Sequence, residues 1–168
     1  IHSELVTDKF RKSGGIMQGL QIWVNLPKKN KQAKPWYQHI KKNNIPTIKE
    51  GENVEIKVLV GEAKGVKSTV QTYSPVSIID THFSSPGIID LDISKEQMTM
   101  VYIIEGELQF FNEKQIASKG QMIYFDQSSE LINLASTSNK GSYLVLAGKP
   151  LNEPIVRYGP FVLTLKVK

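Results

Sequence analysis

The sequence contains no cysteine, which excludes disulfide bonds, thiol nucleophiles and thiolate metal ligands together. No apolar run approaches the roughly 20 residues that a membrane helix requires, so no membrane partner is predicted. Arginine is scarce, because only Arg11 and Arg157 stand among the 21 basic residues. This scarcity argues against specific nucleic-acid recognition, which commonly uses the bidentate guanidinium group.

The remaining composition is that of a globular protein. Hydrophobic residues make up 40% and charged residues 22% of the sequence. Its length of 168 residues is enough for one complete barrel and part of another. The chain begins at Ile1 with neither an initiator Met nor a signal-peptide pattern, and we interpret it as a fragment. Lysines cluster around Trp36 and Tyr37, and without a recognition fold we interpret this cluster as a solvated connection rather than a single-strand nucleic-acid site.

Hydrophobic and polar residues alternate in one short segment after another, and no helical stripe is evident. In the first segment Leu20, Ile22, Val24 and Leu26 share one face, and Pro27 ends the strand. Further strands, separated by turn residues, are predicted over residues 54–60, 69–73, 76–83, 98–104, 107–111, 121–125, 131–135 and 143–147. The pattern predicts an all-β fold, either an antiparallel β-barrel or a sandwich.

Three sequence motifs are more informative about the fold than the hydrophobic periodicity. They are GLQIWVNLP at 19–27 with PWYQ at 35–38, VGEAKGVKS at 60–68, and LAGKPLNEPI at 146–155 with YGPFV at 158–162. In this order they resemble the pirin family of the cupin superfamily, which implies two tandem cupin barrels, each a double-stranded β-helix. By that resemblance residues 1–27 are the remnant of an N-terminal barrel, 28–51 are an inter-domain connection and 52–168 are a complete C-terminal barrel.

The resemblance also implies a metal site, usually assigned to iron (Fe2+), built from three His and one Glu in the N-terminal barrel. Here Ile1-His2-Ser3-Glu4 is similar to the family's later His-x-Glu segment, whereas its early His-Pro-His segment has no match. Positions i and i+2 of a strand point to one side, so His2 and Glu4 can face a single ion. Since His39 and His82 do not match the missing positions, we expect metal binding by this chain to be weak or absent.

The resemblance implies a metal-free C-terminal barrel. Where a metal-binding cupin would have its His pair and Glu, this sequence has the acids Asp90, Asp92, Glu96 and Glu105. Acids near turns are usually solvated, so we interpret them as surface groups, with a hard-cation site as the alternative. We interpret His82 as a hydrogen-bonded structural residue and His39 as a surface group.

Two classes of function follow from the resemblance. The first is a cytoplasmic, metal-dependent dioxygenase of the quercetin 2,3-dioxygenase type, acting on a small flavonol-like aromatic, in which this chain alone is inactive. The second is a non-enzymatic regulator that binds a partner and senses redox state through its metal. A folded remnant without activity is a third hypothesis. No catalytic residue is assigned, because the sequence has no Gly-rich phosphate loop or Ser/His/Asp arrangement.

An incomplete barrel would leave strand edges and apolar surface uncovered, which favours homo-oligomers or strand exchange. We therefore expect residues 1 to about 27 to lie against the C-terminal barrel or to pair with another copy of the chain.

Overall fold

The structure is a computed structural model that describes residues 5–92, 94–110, 115–125, 131–159 and 161–163. Within these ranges it contains one short α-helix, α1 (Asp8–Ser13), and two 3-10 helices, Lys28–Asn30 and Lys42–Asn44. The strands are β1 (Thr47–Glu50), β2 (Val54–Val60), β3 (Glu62–Ala63), β4 (Val66–Lys67), β5 (Val76–Phe83), β6 (Gly87–Asp92), β7 (Met98–Glu105), β8 (Glu107–Phe110), β9 (Ile116–Ser118), β10 (Met122–Phe125), β11 (Leu131–Ser136), β12 (Gly141–Gly148), β13 (Val156–Tyr158) and β14 (Phe161–Leu163). The all-β prediction is confirmed.

Two antiparallel sheets form the body of the fold. The main sheet has the strand order β1-β2-β5-β12-β7-β10, and the second sheet has the order β6-β11-β8-β9. At the centre of the main sheet, β12 pairs with β5 on one side and with β7 on the other along almost its whole length. The hairpins β3–β4 and β13–β14 form separate two-stranded sheets.

A single hydrophobic core lies between the two sheets. On β5, Ile79, Thr81 and Phe83 are buried, whereas Asp80 and His82 between them are partly exposed on the outer face. The core draws on both sheets and includes Ile56, Val58, Val101, Ile103 and Val145 from the main sheet and Ile89, Leu91, Leu108 and Leu134 from the second. Because each buried aliphatic side chain contributes about 1.5–3 kcal/mol, this shared core holds the sheets together.

One end of the barrel is closed by aromatic packing. The rings of Phe83 and Tyr143 lie with their centroids 6.5 Å apart, and both side chains are buried. The Phe83 ring crosses directly over Gly141, whose absent side chain would collide with it and with the carbonyl oxygen of Glu105. Glycine is therefore required at 141 for packing.

Two predicted strands are wrong. Residues 20–26 have no regular secondary structure and belong to none of the sheets that the structure describes. Residues 69–73 also form no strand. There the Gln71 amide donates to Gln38 Oε1 at 2.9 Å, and Gln38 Nε2 donates to the Gln71 carbonyl at 2.9 Å. The Gln38 side chain thus replaces the strand ladder at Gln71.

The other strand predictions are confirmed to within about two residues at each end of the described segments, and those over 54–60 and 76–83 have the predicted bounds. The prediction did not include β1, β6, β9 or the hairpins β3–β4 and β13–β14. The connection predicted over 28–51 ends in β1, which pairs with β2 at the edge of the main sheet.

The segment before the barrel is largely exposed, and hydrogen bonds tie its end to the barrel. Thr7 caps the six-residue helix α1 by accepting a hydrogen bond from the Phe10 amide, yet the helix buries no residue. Residues 11–24 are exposed throughout. Contact begins at 25–31, where the Lys28 amide donates to Glu153 at 2.7 Å and Lys31 Nζ donates to the Val162 carbonyl at 3.2 Å. In the part of the chain that the structure describes, no helix is long and apolar enough to cross a membrane.

Candidate functional site

The predicted metal ligands His2 and Glu4 lie outside the described residues. Of the other histidines, His39 is exposed, as predicted, and its ring stacks on that of Tyr37 with the centroids 6.5 Å apart. Within the described ranges, no group of three or more His, Asp or Glu residues is placed to hold a metal ion. The metal that the family resemblance implies therefore finds no fitting ligand set in this part of the chain.

His82 belongs to a polar cluster on the outer face of β2 and β5. Its Nε2 lies 2.9 Å from Asp80 Oδ2, which confirms the predicted hydrogen-bonded histidine. Lys57 Nζ donates to Glu55 Oε1 at 2.8 Å and lies 4.0 Å from Asp80 Oδ2. This hydrogen bond and the Lys57 charge hold the pKa of Glu55 below its ordinary value. The charges in this cluster satisfy one another, which is typical of a structural network.

The four acids considered for a hard cation are all exposed and dispersed. Their partners are Asn133 for Asp90, Lys149 at 2.6 Å for Glu96 and Lys140 at 3.6 Å for Glu105. Asp92 instead lines a cavity at the open end of the barrel.

This cavity, called the mouth cavity below, has a volume of about 380 Å³. Its floor is the inward face of the main sheet, where Ser77 and Ile79 of β5 stand opposite Ala147 and Val145 of β12. The floor lies at the end where β5 begins and β12 ends, opposite the end closed by Phe83. Ile79, Val145 and Ala147 are 3%, 0% and 7% exposed, so the floor is the buried core itself and the accessible surface of the cavity belongs to its walls.

The hairpin β3–β4 forms one wall of the mouth cavity. Its two-residue turn has positive φ at both Lys64 (47°) and Gly65 (75°), which is the type I′ geometry that tight hairpins prefer. Ala63 is buried in the core, which fixes the hairpin against the barrel. Gly61 precedes the hairpin with φ of 82°, and any side chain there would collide with the Val76 carbonyl.

Two ion pairs tie the walls of the cavity to the rest of the fold. Lys64 Nζ pairs with Glu50 Oε1, which links the hairpin to the end of β1. The opposite wall contains a turn, in which the Gln97 amide donates to the Ser94 carbonyl. The Glu96–Lys149 ion pair joins this turn to the chain after β12. Both walls are therefore anchored independently of any ligand.

Three buried hydroxyl groups lie on the core face of the main sheet. Thr99 on β7 stands opposite Ala147 on β12. Thr81 is two residues from Ile79 on β5, and Tyr143 is two residues from Val145 on β12, so each lies on the same face of the sheet as its buried neighbour. None of the three hydroxyls has a hydrogen-bond partner among the described residues. The Thr81 hydroxyl lies near the Tyr143 phenol and acts to lower its pKa, but the two groups do not meet the geometry of a hydrogen bond.

Burial raises the pKa of the Tyr143 phenol well above its ordinary value. This effect outweighs the lowering of the pKa by Thr81, and the negative charge of Glu50 adds to the rise. Tyr143 therefore keeps its proton and stays a hydrogen-bond donor at neutral pH. Unpartnered buried hydroxyls are uncommon, so these three groups are the polar exceptions in an otherwise apolar core.

Sequence reasoning did not find the mouth cavity. Its residues come from β3, β5, β12 and the turn after β6, which are far apart along the chain. One readable signal was the Lys64-Gly65 pair between Ala63 and Val66, which fits a two-residue hairpin turn.

A barrel of two antiparallel sheets around one core, open to a cavity at one end, defines this chain as a cupin. The structure superposes on the crystal structure of quercetin 2,3-dioxygenase from Acinetobacter baumannii with a TM-score of 0.81 and 30% sequence identity, covering 86% of this chain and 50% of that one. The crystal structure of a Geobacillus kaustophilus protein matches with a TM-score of 0.73 at 29% identity, over 79% of this chain and 54% of that one.

The family follows from the sequence comparisons. Residues 78–167 match the pirin C-terminal cupin domain. Pirin-1 of Arabidopsis thaliana is 31% identical over 97% of this chain and 55% of its own length, and pirin of Rattus norvegicus is 33% identical over 86% and 50%. The chain belongs to the pirin family. It spans about half the length of the curated relatives that it matches.

Proposed function

We propose that this chain is part of a metal-dependent dioxygenase of the quercetin 2,3-dioxygenase type, acting on a flavonol-like substrate. The observation that carries the proposal is the match to the A. baumannii enzyme of that name, at a TM-score of 0.81 and 30% identity. The family resemblance assigns His2 and Glu4 to the metal site and iron to the metal. We further propose that the protein works in the cytoplasm, which fractionation of cells would test.

The chain itself brings only two of the four ligands that the resemblance implies. Two protein ligands leave a divalent ion largely to solvent, and so we expect the 168-residue chain to retain much less than one metal ion after dialysis. Metal analysis of the purified chain measures this directly, and a stoichiometric, tightly held ion would contradict the assignment. No reaction step is assigned to the described residues, since none of them forms a metal-binding group.

The enzymatic proposal is tested on the protein encoded by the whole gene. Oxygen uptake on addition of quercetin is expected, and His2→Ala should abolish it because an imidazole ligand is lost. His39→Ala is the matched control, since His39 is exposed and its ring stacks on that of Tyr37. Equal uptake by the His2→Ala and unmodified proteins would refute the role of His2.

A partner-binding regulator is the second candidate, and the exposed apolar side chains support it. On the edge strand β10, Met122 and Tyr124 are 55% and 59% exposed, although edge strands with apolar faces are commonly covered. Specific capture of one partner by metal-free protein, with no oxygen uptake, would favour the regulator. Uptake that depends on quercetin and His2 would favour the enzyme.

We also propose that the segment over residues 5–27 mediates self-association. Ile16, Met17 and Trp23 are 96%, 70% and 65% exposed, which leaves these apolar side chains largely in solvent. Light scattering should show dimers or larger species that dissociate when Ile16 and Met17 are replaced by Ser. A monodisperse monomer at high protein concentration would rule this out.

A further inference from the structure

The segment over residues 28–42 is the densest cluster of basic residues in the chain. It contains six lysines and no acidic residue. Lys31 has a structural role, because its Nζ donates to the Asn25 side chain at 2.7 Å and to the Val162 carbonyl at 3.2 Å. The other five lysines are exposed and form no ion pair among the described residues; they are Lys28, Lys29, Lys34, Lys41 and Lys42. Their charges favour an anionic partner.

The part of this segment over residues 37–41 is fixed against the rest of the protein. Exposure alternates along it, because Tyr37, His39 and Lys41 are exposed whereas Gln38 and Ile40 between them are partly buried. The Gln38 side chain both accepts from the Gln71 amide and donates to the Gln71 carbonyl, each at 2.9 Å. Since these bonds hold the backbone, the outward side chains are arranged before any partner binds, which lowers the entropic cost of binding.

Two of the outward side chains form an open pair of rings. The Tyr37 and His39 rings are nearly parallel, with 26° between their planes and 6.5 Å between their centroids. Stacked bases lie about 3.4 Å apart, so a base between two rings needs about 6.8 Å and the pair would have to widen by only roughly 0.3 Å. Tyr37 is 85% exposed, and Trp36 beside it is 50% exposed, so a base can reach the rings from solvent.

We propose that residues 34–42 bind single-stranded nucleic acid without sequence preference, with one base between the Tyr37 and His39 rings and the neighbouring phosphates on Lys34, Lys41 and Lys42. Aromatic rings stack on every base, and lysine contacts a phosphate as a point charge, so the site needs no arginine. Lys28 is left out of the phosphate contacts because its amide donates to the Glu153 carboxylate. The site uses neither His2 nor a metal ion.

The pair of rings is what favours a nucleic acid over other anionic partners. Lysines alone fit a solvated connection or an anionic membrane surface equally well. A lipid headgroup offers no planar ring to the space between Tyr37 and His39, whereas an unpaired base does. In a duplex the bases are already stacked on one another, so only the lysines would contribute.

The test uses the full 168-residue chain and a fluorescently labelled oligothymidine of about 12 nucleotides, a length that matches common single-strand sites. Anisotropy should show saturable binding at low salt. Three phosphate contacts predict that the logarithm of the association constant falls with the logarithm of salt concentration with a slope of about −2. An abasic strand of equal length keeps the phosphates but lacks the bases, and it should bind about tenfold more weakly. A duplex of equal length should also bind more weakly.

Variants separate the rings from the charges. Tyr37→Ala should weaken the binding of oligothymidine about tenfold and leave the binding of the abasic strand unchanged, whereas Tyr37→Phe keeps the ring and should bind like the unmodified chain. Lys41→Gln should weaken both strands and reduce the salt slope by about 0.7. The matched controls are Tyr124→Ala, which removes an exposed ring from the edge strand β10, and Lys119→Gln, which removes an exposed charge from the turn before it. Both controls should bind normally.

The proposal is overturned if oligothymidine shows no saturable binding, or if the abasic strand or the duplex binds as tightly as oligothymidine. Tyr37→Ala binding as tightly as Tyr124→Ala, or Lys41→Gln keeping the full salt slope, would also overturn it. Preferential binding of phosphatidylserine vesicles at equal phosphate concentration would assign the lysines to a membrane surface instead. None of these results depends on oxygen uptake with quercetin, so this proposal and the dioxygenase proposal fail separately.

Discussion

Replacement of Gly141 by alanine tests the packing at the closed end of the barrel. The added Cβ would lie 2.5 Å from the Glu105 carbonyl oxygen and 2.9 Å from Phe83 Cε1, and would overlap Phe83 Cζ. Favourable carbon contacts lie at about 3.5–4.0 Å, so both neighbours would have to move by around an ångström. The ring is buried against Tyr143, and the carbonyl belongs to the end of β7 next to β12.

The expected cost follows from these constraints. Overpacking of a core usually costs about 1–3 kcal/mol, and a carbonyl fixed in a sheet cannot relieve the strain as a flexible side chain would. We therefore expect Gly141→Ala to lower the free energy of unfolding by about 3 kcal/mol. For a chain of this size each kcal/mol lowers the melting temperature by about 2–4 °C, which predicts a loss of roughly 6–12 °C.

Circular dichroism melts and urea unfolding would measure the change. Gly87→Ala is the matched control, because Gly87 also begins a strand but has no atom within 4 Å of its Cβ position. The control should lie within about 0.5 kcal/mol of the unmodified chain. Phe83→Ala should remove the ring contacts but not the carbonyl contact, so Gly141→Ala should remain destabilising, though less so, in that background. A Gly141→Ala variant as stable as Gly87→Ala would refute the packing argument.

Three further outcomes are expected. Because burial raises the pKa of Tyr143, its phenol stays protonated in the folded state, whereas in the unfolded state it ionises above a pH of about 10. The free energy of unfolding should therefore fall above this pH by up to about 1.4 kcal/mol per pH unit. In unfolding experiments Tyr143→Phe should not show this contribution. Lys57→Met should raise the pKa of Glu55 towards its ordinary value in a carboxyl-carbon titration, whereas an unchanged titration would contradict the Lys57 contact. Gln38→Ala should speed amide hydrogen exchange at Gln71, while Gln38→Glu, which keeps the acceptor oxygen, should largely preserve protection.

The strand interiors were predictable because alternation and turn residues agree there. From Ile79 to Phe83 every second residue is buried, and the turn residues Ser85-Pro86-Gly87 come one residue after the strand, so the sequence predicts both of its bounds. The same reasoning failed over 20–26, where alternation is equally clear but no strand lies alongside in the described chain. Alternation reports a face that is suited to burial, and whether a neighbouring strand exists is decided by the rest of the molecule.

The sites were less predictable than the fold. The pair His2 and Glu4 was found through the resemblance to pirins, and it remains a prediction. The mouth cavity could not be found from spacing, because Ser77, Asp92 and Ala147 meet only when β5, β6 and β12 are brought together. Asp92 was considered as a cation ligand for its charge alone, whereas its setting beside an apolar floor comes from the topology.

The position of β12 has a consequence for biosynthesis. This strand completes the hydrogen-bonding of both β5 and β7, yet it is translated after both of them. Until residues 141–148 leave the ribosome, the two earlier strands have unpaired edges that can recruit other chains. The barrel must therefore close in one late step, and a nascent chain that stalls before Gly141 is the species that most needs a chaperone.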